Sequence, residues 1–111
     1  MIYLASPYSD PDPEIQESRY AAAAHYVAYH FRLGIPLLSP IVYCHRLSLE
    51  RALPGDAIFW QFLNEEFVMR SSAVWVLKLP EWESSAGVTS EIALARRLDI
   101  PLHFKEPLAN G

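Results

Sequence analysis

The chain has 111 residues, of which 51% are hydrophobic and 20% are charged, a composition that suits one folded domain over residues 1–111 and excludes extended disorder. The formal net charge is −4, and the nine Lys and Arg residues form no basic run. That pattern argues against a groove for DNA or RNA, so no nucleic-acid polymer is expected as a partner. A single nucleotide remains compatible, because backbone N–H groups and hydroxyls suffice to hold one phosphate.

The chain contains one cysteine, Cys44, which excludes an internal disulfide and fits a reducing compartment. Its apolar runs are shorter than a bilayer span, and its first residues have the pattern of a strand instead of a signal peptide. We therefore expect no membrane partner and a cytoplasmic location.

Taken in chain order, hydrophobic patterning and turn residues predict strands that alternate with helices. The predicted strands are residues 2–5, 35–39, 73–79 and 100–104, and the predicted helices are residues 13–33, 57–70 and 87–98. Residues 40–56 are interpreted as a long connection. The β-α-β-α-β-α-β order predicts an α/β fold, a single Rossmann- or flavodoxin-like domain whose small parallel sheet of about four strands has helices on both faces.

Three polar connections follow the first three predicted strands. They read "SPYSD" (6–10), "SPIVYCH" (39–45) and "PEWESSAGVTSE" (80–91). In parallel sheets, ligands bind beyond the carboxyl ends of the strands. The sequence therefore predicts that these connections lie together and form the functional edge.

The third connection has the residues of a helix start that holds an anion. Ser84 or Ser85 is suited to cap the helix, and Gly87 allows the backbone to approach a ligand closely. The free N–H groups of a helix N-terminus favour phosphate. The same residues also fit an ordinary capped strand–helix junction, and Glu91 alone fits a solvated glutamate near a helix start.

The histidines give a weak metal signal. His25 and His30 are five residues apart and do not share a helix face, whereas Cys44 and His45 are adjacent but have no second pair. We expect neither a metal nor a cofactor.

Three stretches together resemble a known family. "YLA" in the first strand, "WESSAGVTSEIALA" in the third connection and the terminal "IPLHF" look like the nucleoside 2-deoxyribosyltransferase superfamily. With "SPYS" and "GIPLLSPIVYCH", the chain is similar to the DUF1937-type branch of that superfamily. The resemblance runs from Ile2 to Phe104 and makes the whole chain a single nucleoside 2-deoxyribosyltransferase-like domain.

The resemblance implies an N-glycosyl enzyme that cleaves or exchanges the base of a 2′-deoxynucleoside or its 5′-monophosphate through a covalent glutamyl-deoxyribosyl intermediate. Glu91 matches the nucleophile, and Tyr3 matches the tyrosine that orients it. Glu65 stands where the superfamily usually has an aspartate that contacts the base or assists its protonation. Because of this departure, the alternative is a catalytically weak or inactive nucleotide-binding module of the same fold.

The resemblance also implies the ligand contacts. Ser85 matches the position where nucleotide N-glycosidases hold the 5′-phosphate and nucleoside transferases have an aspartate, which favours a nucleotide. Residues 6–8 line the base and sugar pocket, and His45 contacts the ligand or orders its loop. Apart from the resemblance, the polar connection around Trp82 favours a role in stacking on the base or covering the site. The expected substrate-binding residues are Ser6, Pro7, Tyr8, His45, Trp82, Ser84, Ser85 and Gly87.

Transferases of the superfamily complete their pockets with residues of a neighbouring subunit. The resemblance therefore implies a homodimer or a higher homo-oligomer. The 13% aromatic content suits a subunit interface, and it also suits a third alternative, a structural or interaction domain without a substrate.

Overall fold

Four parallel strands form the sheet in the computed structural model, which describes residues 1–54 and 57–109. The strands are β1 (Ile2–Ala5), β2 (Leu37–Leu38), β3 (Ala73–Leu77) and β4 (Leu102–Lys105), in the order β2-β1-β3-β4. This order begins the flavodoxin-like arrangement, in which the sheet reverses its direction of growth between β1 and β3. The predicted α/β fold with a parallel sheet is confirmed.

The described residues contain four α-helices and one short 3-10 helix. The α-helices are α1 (Pro13–Arg32), α2 (Pro40–Arg51), α3 (Ala57–Met69) and α4 (Ala86–Arg97), and the 3-10 helix is Trp82–Ser84. α1 begins where the Asp12 side chain accepts the N–H of Glu14 at 2.9 Å, and it is followed by Gly34 at a φ of 77°. A capping acid and a glycine with positive φ are the expected start and stop signals.

The interpretation of residues 40–56 as a connection was wrong for most of its length, because α2 occupies Pro40–Arg51. The Ser39 side chain caps this helix by accepting the N–H of Val42 at 3.3 Å. Pro40 takes the first helical position, where its missing N–H costs nothing. The same start shortens β2 to two residues within the predicted strand 35–39, and residues 55 and 56 of the predicted connection lie outside the described ranges.

Side chains of the strands alternate between two core layers. Tyr3 and Ala5 of β1 pack with Val68 of α3 and with Val88 and Ala95 of α4. On the opposite face, Leu4 packs with Tyr26 and Val27 of α1 and with Leu37 of β2. This period of two places α3 and α4 on one side of the sheet and α1 on the other.

The carboxyl ends of β1 and β3 meet at the reversal point of the sheet. Their register pairs Tyr3 with Val74 and Ala5 with Val76, so the segments that follow them leave the same edge. In the described ranges, no helix is long and apolar enough to cross a bilayer.

Candidate active site

Glu91 and Tyr3 form a buried acid–phenol pair at this edge. Tyr3 is fully buried on β1 and faces the side of the sheet that α4 covers. Glu91 lies in the second turn of α4, and its Oε2 atom has no accessible surface although the residue as a whole is only half-buried. The carboxyl group is therefore enclosed and touches the strand that ends at the predicted functional edge.

Burial raises the pKa of Glu91 to about 8, and a hydrogen bond with Tyr3 acts in the opposite direction. Burial, followed by the charge of Glu91, raises the pKa of Tyr3 well above its ordinary value. The phenol is therefore the proton donor of the pair. An enclosed carboxyl held by one donor is kept mostly protonated near neutral pH and is poised to ionise when positive charge develops beside it.

Three buried side-chain oxygens have no hydrogen-bond partner within the described residues: Ser6 Oγ, Asn64 Oδ1 and Glu91 Oε2. Buried polar atoms are nearly always paired, so each atom has hydrogen-bonding capacity left for a ligand or a water molecule. Ser6 directly follows β1, and Asn64 lies one helical turn before the buried Val68 on α3.

The start of α4 brings three predicted residues into one place. Ser85 caps the helix, as expected, by accepting the N–H of Val88 at 3.3 Å. A Cβ atom at Gly87 would lie 3.8 Å from Glu91 Oε1 and 4.0 Å from Ser85 Oγ. The cap, the glycine and the acid therefore border one small region, while the Ser84 hydroxyl donates to the Glu81 carbonyl at 3.1 Å.

On the other side of the edge, a histidine is held between a phenol and a carboxylate. His45 of α2 is buried, with Nδ1 2.5 Å from Tyr8 Oη and Nε2 2.7 Å from Glu17 Oε2. The Tyr20 ring is stacked on the imidazole at 4.3 Å between ring centroids. Two of the predicted residues, Tyr8 and His45, are thus joined directly, and Pro7 beside Tyr8 is fully buried.

Arg19 of α1 ties the first connection to the third. Its guanidinium donates to the Ser9 carbonyl at 2.9 Å and lies 3.6 Å from Glu81 Oε1. Since Tyr8 and His45 join the first connection to α2, the three polar connections are held together at one edge.

Two of the predicted site residues have their contacts elsewhere. Glu65 accepts a hydrogen bond from Gln61 at 3.3 Å on the exposed side of α3. Trp82 packs 5.5 Å from Phe104 and lines an open cavity of about 350 Å³ with Ile92 and other residues. At 100° per residue, Ile92 lies well around α4 from Glu91, so this cavity and the Glu91 carboxyl occupy different faces of the helix.

The sequence did not point to Asn64 or Glu17 as members of this region, whereas Cys44 belongs to the second connection of the predicted edge. Cys44 is close enough to Tyr3 that a charge on its thiol would raise the tyrosine pKa, and burial raises the pKa of Cys44 itself. Asn64 is adjacent to the predicted Glu65, so only the rotation of α3 distinguishes the two. Glu17 had a signal only as an acid near the start of α1.

Within residues 1–54 and 57–109, no group of three or more His, Cys, Asp and Glu side chains is arranged to hold a metal ion. The chemistry available at the edge is that of a carboxyl, two phenols, an imidazole and a helix N-terminus.

The model of a protein family described as "Domain of unknown function (DUF1937)" matches residues 1–105. Comparison with curated proteins gave no match.

Proposed function

The chain belongs to the DUF1937 family, and we propose that it is an N-glycosyl enzyme that cleaves or exchanges the base of a 2′-deoxynucleoside or its 5′-monophosphate. The observation that carries the proposal is the enclosed Glu91 carboxyl beside the Tyr3 hydroxyl at the reversal point of the sheet. Ligands of open parallel sheets bind at that point. We also propose that the family belongs to the nucleoside 2-deoxyribosyltransferase-like superfamily.

In the proposed reaction, a Glu91 carboxylate oxygen bonds to C1′ of the deoxyribosyl group while the bond from C1′ to the base nitrogen breaks. The electron pair of that bond leaves with the base, and a glutamyl-deoxyribosyl ester remains. Water or a second base then attacks C1′ and releases Glu91. A carboxylate suits this role because the sugar passes through a cationic, oxocarbenium-like state that the negative charge stabilises.

The raised pKa of Glu91 gives the proposed reaction a pH dependence. With a pKa of about 8, about one tenth of the carboxyl groups are ionised at pH 7 in the ligand-free protein. Only the ionised form is a nucleophile. The rate should therefore rise with pH until the carboxyl has titrated, unless bound substrate lowers its pKa.

The N-terminus of α4 supports a nucleotide over a nucleoside. Ser85 and Gly87 lie beside Glu91 at a helix start, where backbone N–H groups and the helix dipole favour a phosphate. A 5′-phosphate bound there would place the sugar of the same molecule close to the Glu91 carboxyl.

The test is a panel of deoxynucleosides and deoxynucleoside 5′-monophosphates, with free base measured by chromatography and the protein measured by intact-mass spectrometry. We expect base release by the wild type, a deoxyribosyl adduct on Glu91, and at least a thousandfold lower rate for Glu91→Gln, as is usual for loss of a nucleophile. Glu83→Gln is the matched control, because Glu83 is an exposed acid of the same connection. Absence of base and adduct under every condition would rule the enzyme out.

The position of Glu65 favours a second candidate, a nucleotide-binding module without turnover. The Glu65 carboxylate accepts a hydrogen bond from Gln61 of the same helix, so this carboxylate is already engaged outside the Glu91 and Tyr3 pair. For this candidate, we expect a deoxynucleotide to raise the unfolding temperature without release of base.

We further propose that the protein is a cytoplasmic homo-oligomer, at least a dimer. Ile58, Phe62 and Met69 are 78%, 66% and 54% exposed, and their spacing places them on one stripe of α3. Burial of such a stripe against a second copy would remove apolar surface from water. Sedimentation of the wild type and of Phe62→Glu measures the oligomeric state. A wild type that is monomeric at all concentrations would contradict the proposed homo-oligomer.

A further inference from the structure

The His45 ring is the most completely bonded polar group of the candidate site. Its side chain is 5% exposed, and both ring nitrogens are in hydrogen bonds of 2.5 Å to Tyr8 and 2.7 Å to Glu17. The Tyr20 ring covers one face of the imidazole. Such an arrangement fixes the ring plane and holds the ring between Glu17 and the Tyr8 hydroxyl.

The positions of the protons in the hydrogen-bond chain Glu17–His45–Tyr8 follow from which atoms donate and which accept. In the imidazolium form, Nε2–H donates to the Glu17 carboxylate and Nδ1–H donates to Tyr8 Oη, so the hydroxyl proton of Tyr8 is free to donate to a ligand. In the neutral form with Nε2–H, the Tyr8 hydroxyl instead donates to Nδ1. The protonation of His45 thus decides whether Tyr8 is a donor toward the site.

Glu17 is the solvent-exposed end of this hydrogen-bond chain. Its side chain is 62% exposed, whereas that of His45 is 5% exposed. Glu17 therefore holds, from the solvent side, a ring that water hardly contacts. The other groups near the ring are the Tyr20 phenol of α1, the neighbouring Cys44 thiol of α2 and Arg19, which donates to the Tyr8 carbonyl.

Tyr8 and Glu91 come from opposite sides of the sheet. Glu91 is on α4, whereas Tyr8 leads into α1 and is bonded to α2, which contacts α1. A displacement at C1′ needs its nucleophile on one side of the sugar and its leaving base on the other. The two layers supply these two sides.

On these grounds, and on the premise of the proposed function, we propose that Tyr8 is the general acid that protonates the departing base. His45 is the positioning residue that returns a proton to Tyr8, and Glu17 is the positioning residue that holds the His45 ring and stabilises its protonated form. The Tyr8 O–H bond breaks and its proton bonds to a nitrogen or oxygen of the base as the C1′–N bond breaks. The Tyr8 phenolate then takes the Nδ1 proton of His45, which becomes neutral and still donates to Glu17. Before the next turnover, a water molecule in the vacated site donates a proton to Tyr8 Oη while the Tyr8 hydroxyl proton moves to Nδ1, which restores the imidazolium.

Two facts on Tyr8 agree with this role. Burial and the negative charge of Glu17 raise the pKa of Tyr8, so the phenol holds its proton and is a weak acid by itself. A hydrogen bond from the doubly protonated His45 ring to the Tyr8 oxygen would stabilise the phenolate that proton transfer leaves behind. Glu65, the acid that the resemblance offers for the same task, is on the exposed side of α3.

The test uses matched probe pairs that differ in how much the base needs a proton. The purine pair is dGMP and its N7-methyl derivative, whose base leaves as a neutral molecule, and the pyrimidine pair is dUMP and 5-fluoro-dUMP, whose base is the better leaving group. We expect Tyr8→Phe to lower the rate on dGMP or dUMP by about a hundredfold, the usual lower range for loss of a general acid. The rate on the activated member of the same pair should fall by less than about threefold.

His45→Gln and Glu17→Gln test the positioning role. Each should lower the rate on the member of the pair that needs a proton by more than it lowers the rate on the activated member. A merely structural loss would lower the rates on both members by the same factor. Tyr29→Phe, an exposed phenol of α1, is the control and should change neither member.

The outcomes separate this proposal from the one it rests on. If Tyr8→Phe lowers the rates on both probes of a pair by the same factor, or lowers neither rate, the acid role is overturned. Base release by the wild type would then still support the proposed function. If the wild type releases no base from any probe and gives no adduct on Glu91, the proposed function is overturned and the acid role falls with it.

Discussion

The two sides of the candidate site differ in how their polar groups are paired. On the α4 side, Glu91 Oε2 and Asn64 Oδ1 are buried without a partner in the described part of the chain. On the α1 side, both nitrogens of the buried His45 ring are bonded, to Tyr8 and to Glu17. An unpaired buried group lowers stability and gains from a ligand, whereas a fully bonded one is held in place before any ligand arrives.

This difference shows that folding stability and ligand binding oppose each other at Glu91 and not at His45. The burial of Glu91 costs folding free energy, which a bound cation or cationic transition state would recover. The hydrogen bonds of His45 to Tyr8 and Glu17 stabilise the folded state. Because they already hold the ring in place, ligand binding needs little further ordering there. The following predictions test the contrast, from the largest expected effect to the smallest.

Substitution of the two groups should change stability in opposite directions. Glu91→Gln should raise the free energy of unfolding at pH 8 by on the order of 1–3 kcal/mol, because an amide is buried without a charge. His45→Gln should lower it by on the order of 1–3 kcal/mol at the same pH, because it breaks two buried hydrogen bonds. Urea unfolding at several pH values measures both.

The sign of the pH dependence follows from the Glu91 pKa. Between its ordinary value of 4.5 and about 8, the folded state holds this proton more tightly than the unfolded state does. The stability of the wild type is therefore lost as pH rises through that window, relative to Glu91→Gln, and the two proteins converge below it. A difference that is constant from pH 4 to pH 8 would contradict the burial of this carboxyl.

Tyr3→Phe should move the pH–rate profile to higher pH and lower kcat/KM at pH 7 by about tenfold. The Tyr3 hydrogen bond lowers the pKa of Glu91, so its loss leaves less of the nucleophile ionised at neutral pH. Tyr26→Phe is the control, because Tyr26 is buried in the opposite core layer. An unshifted profile would mean that Tyr3 does not act on Glu91.

Ser85→Ala should destabilise the protein by about 1 kcal/mol, the usual cost of a lost helix cap. It should also raise KM for a deoxynucleoside 5′-monophosphate and leave KM for the free deoxynucleoside unchanged. Ser84→Ala is the matched control, since the Ser84 hydroxyl donates to the Glu81 carbonyl and does not cap α4. Equal effects on nucleotide and nucleoside would argue against a phosphate at this helix start.

Glu65→Gln should have the smallest effect, less than about threefold in kcat/KM, the range expected for a side chain outside the chemistry. Its carboxylate is half-buried and accepts a hydrogen bond from Gln61 of the same helix. Steady-state kinetics of Glu65→Gln and of Asn64→Ala compare two neighbouring residues of α3. A fall in kcat/KM as large as that for Tyr3→Phe would restore Glu65 to the mechanism.

Local signals in the sequence were sufficient for most of the fold. Alternation of strands and helices predicted the parallel sheet, and the Ser85 cap appears where its residue type indicated. The helix at Pro40–Arg51 was not predicted. Ser39 followed by Pro40 is nevertheless a helix-start signal, because serine caps a helix and proline suits its first position.

The partners within the site were a harder problem. Tyr8 and Glu17 are 37 and 28 residues from His45 in the chain, and no local pattern links residues at such distances. Likewise, the choice between Asn64 and Glu65 depends on the rotation of α3 against its neighbours. That rotation is set by the burial of Val68 and Phe67, and hydrophobic residues all around this helix conceal it in the sequence.

The sequence by itself determined the α/β class, the caps of its helices and the polar connections at one edge, because these depend on backbone propensity and on hydrophobic period. Only the tertiary structure decided that Glu91 is enclosed against Tyr3, that His45 joins Tyr8 to Glu17, and that Glu65 is bonded to Gln61. Burial and long-range pairing depend on how whole elements pack. The pKa of an acid and the partner of a histidine are therefore properties of the assembled chain.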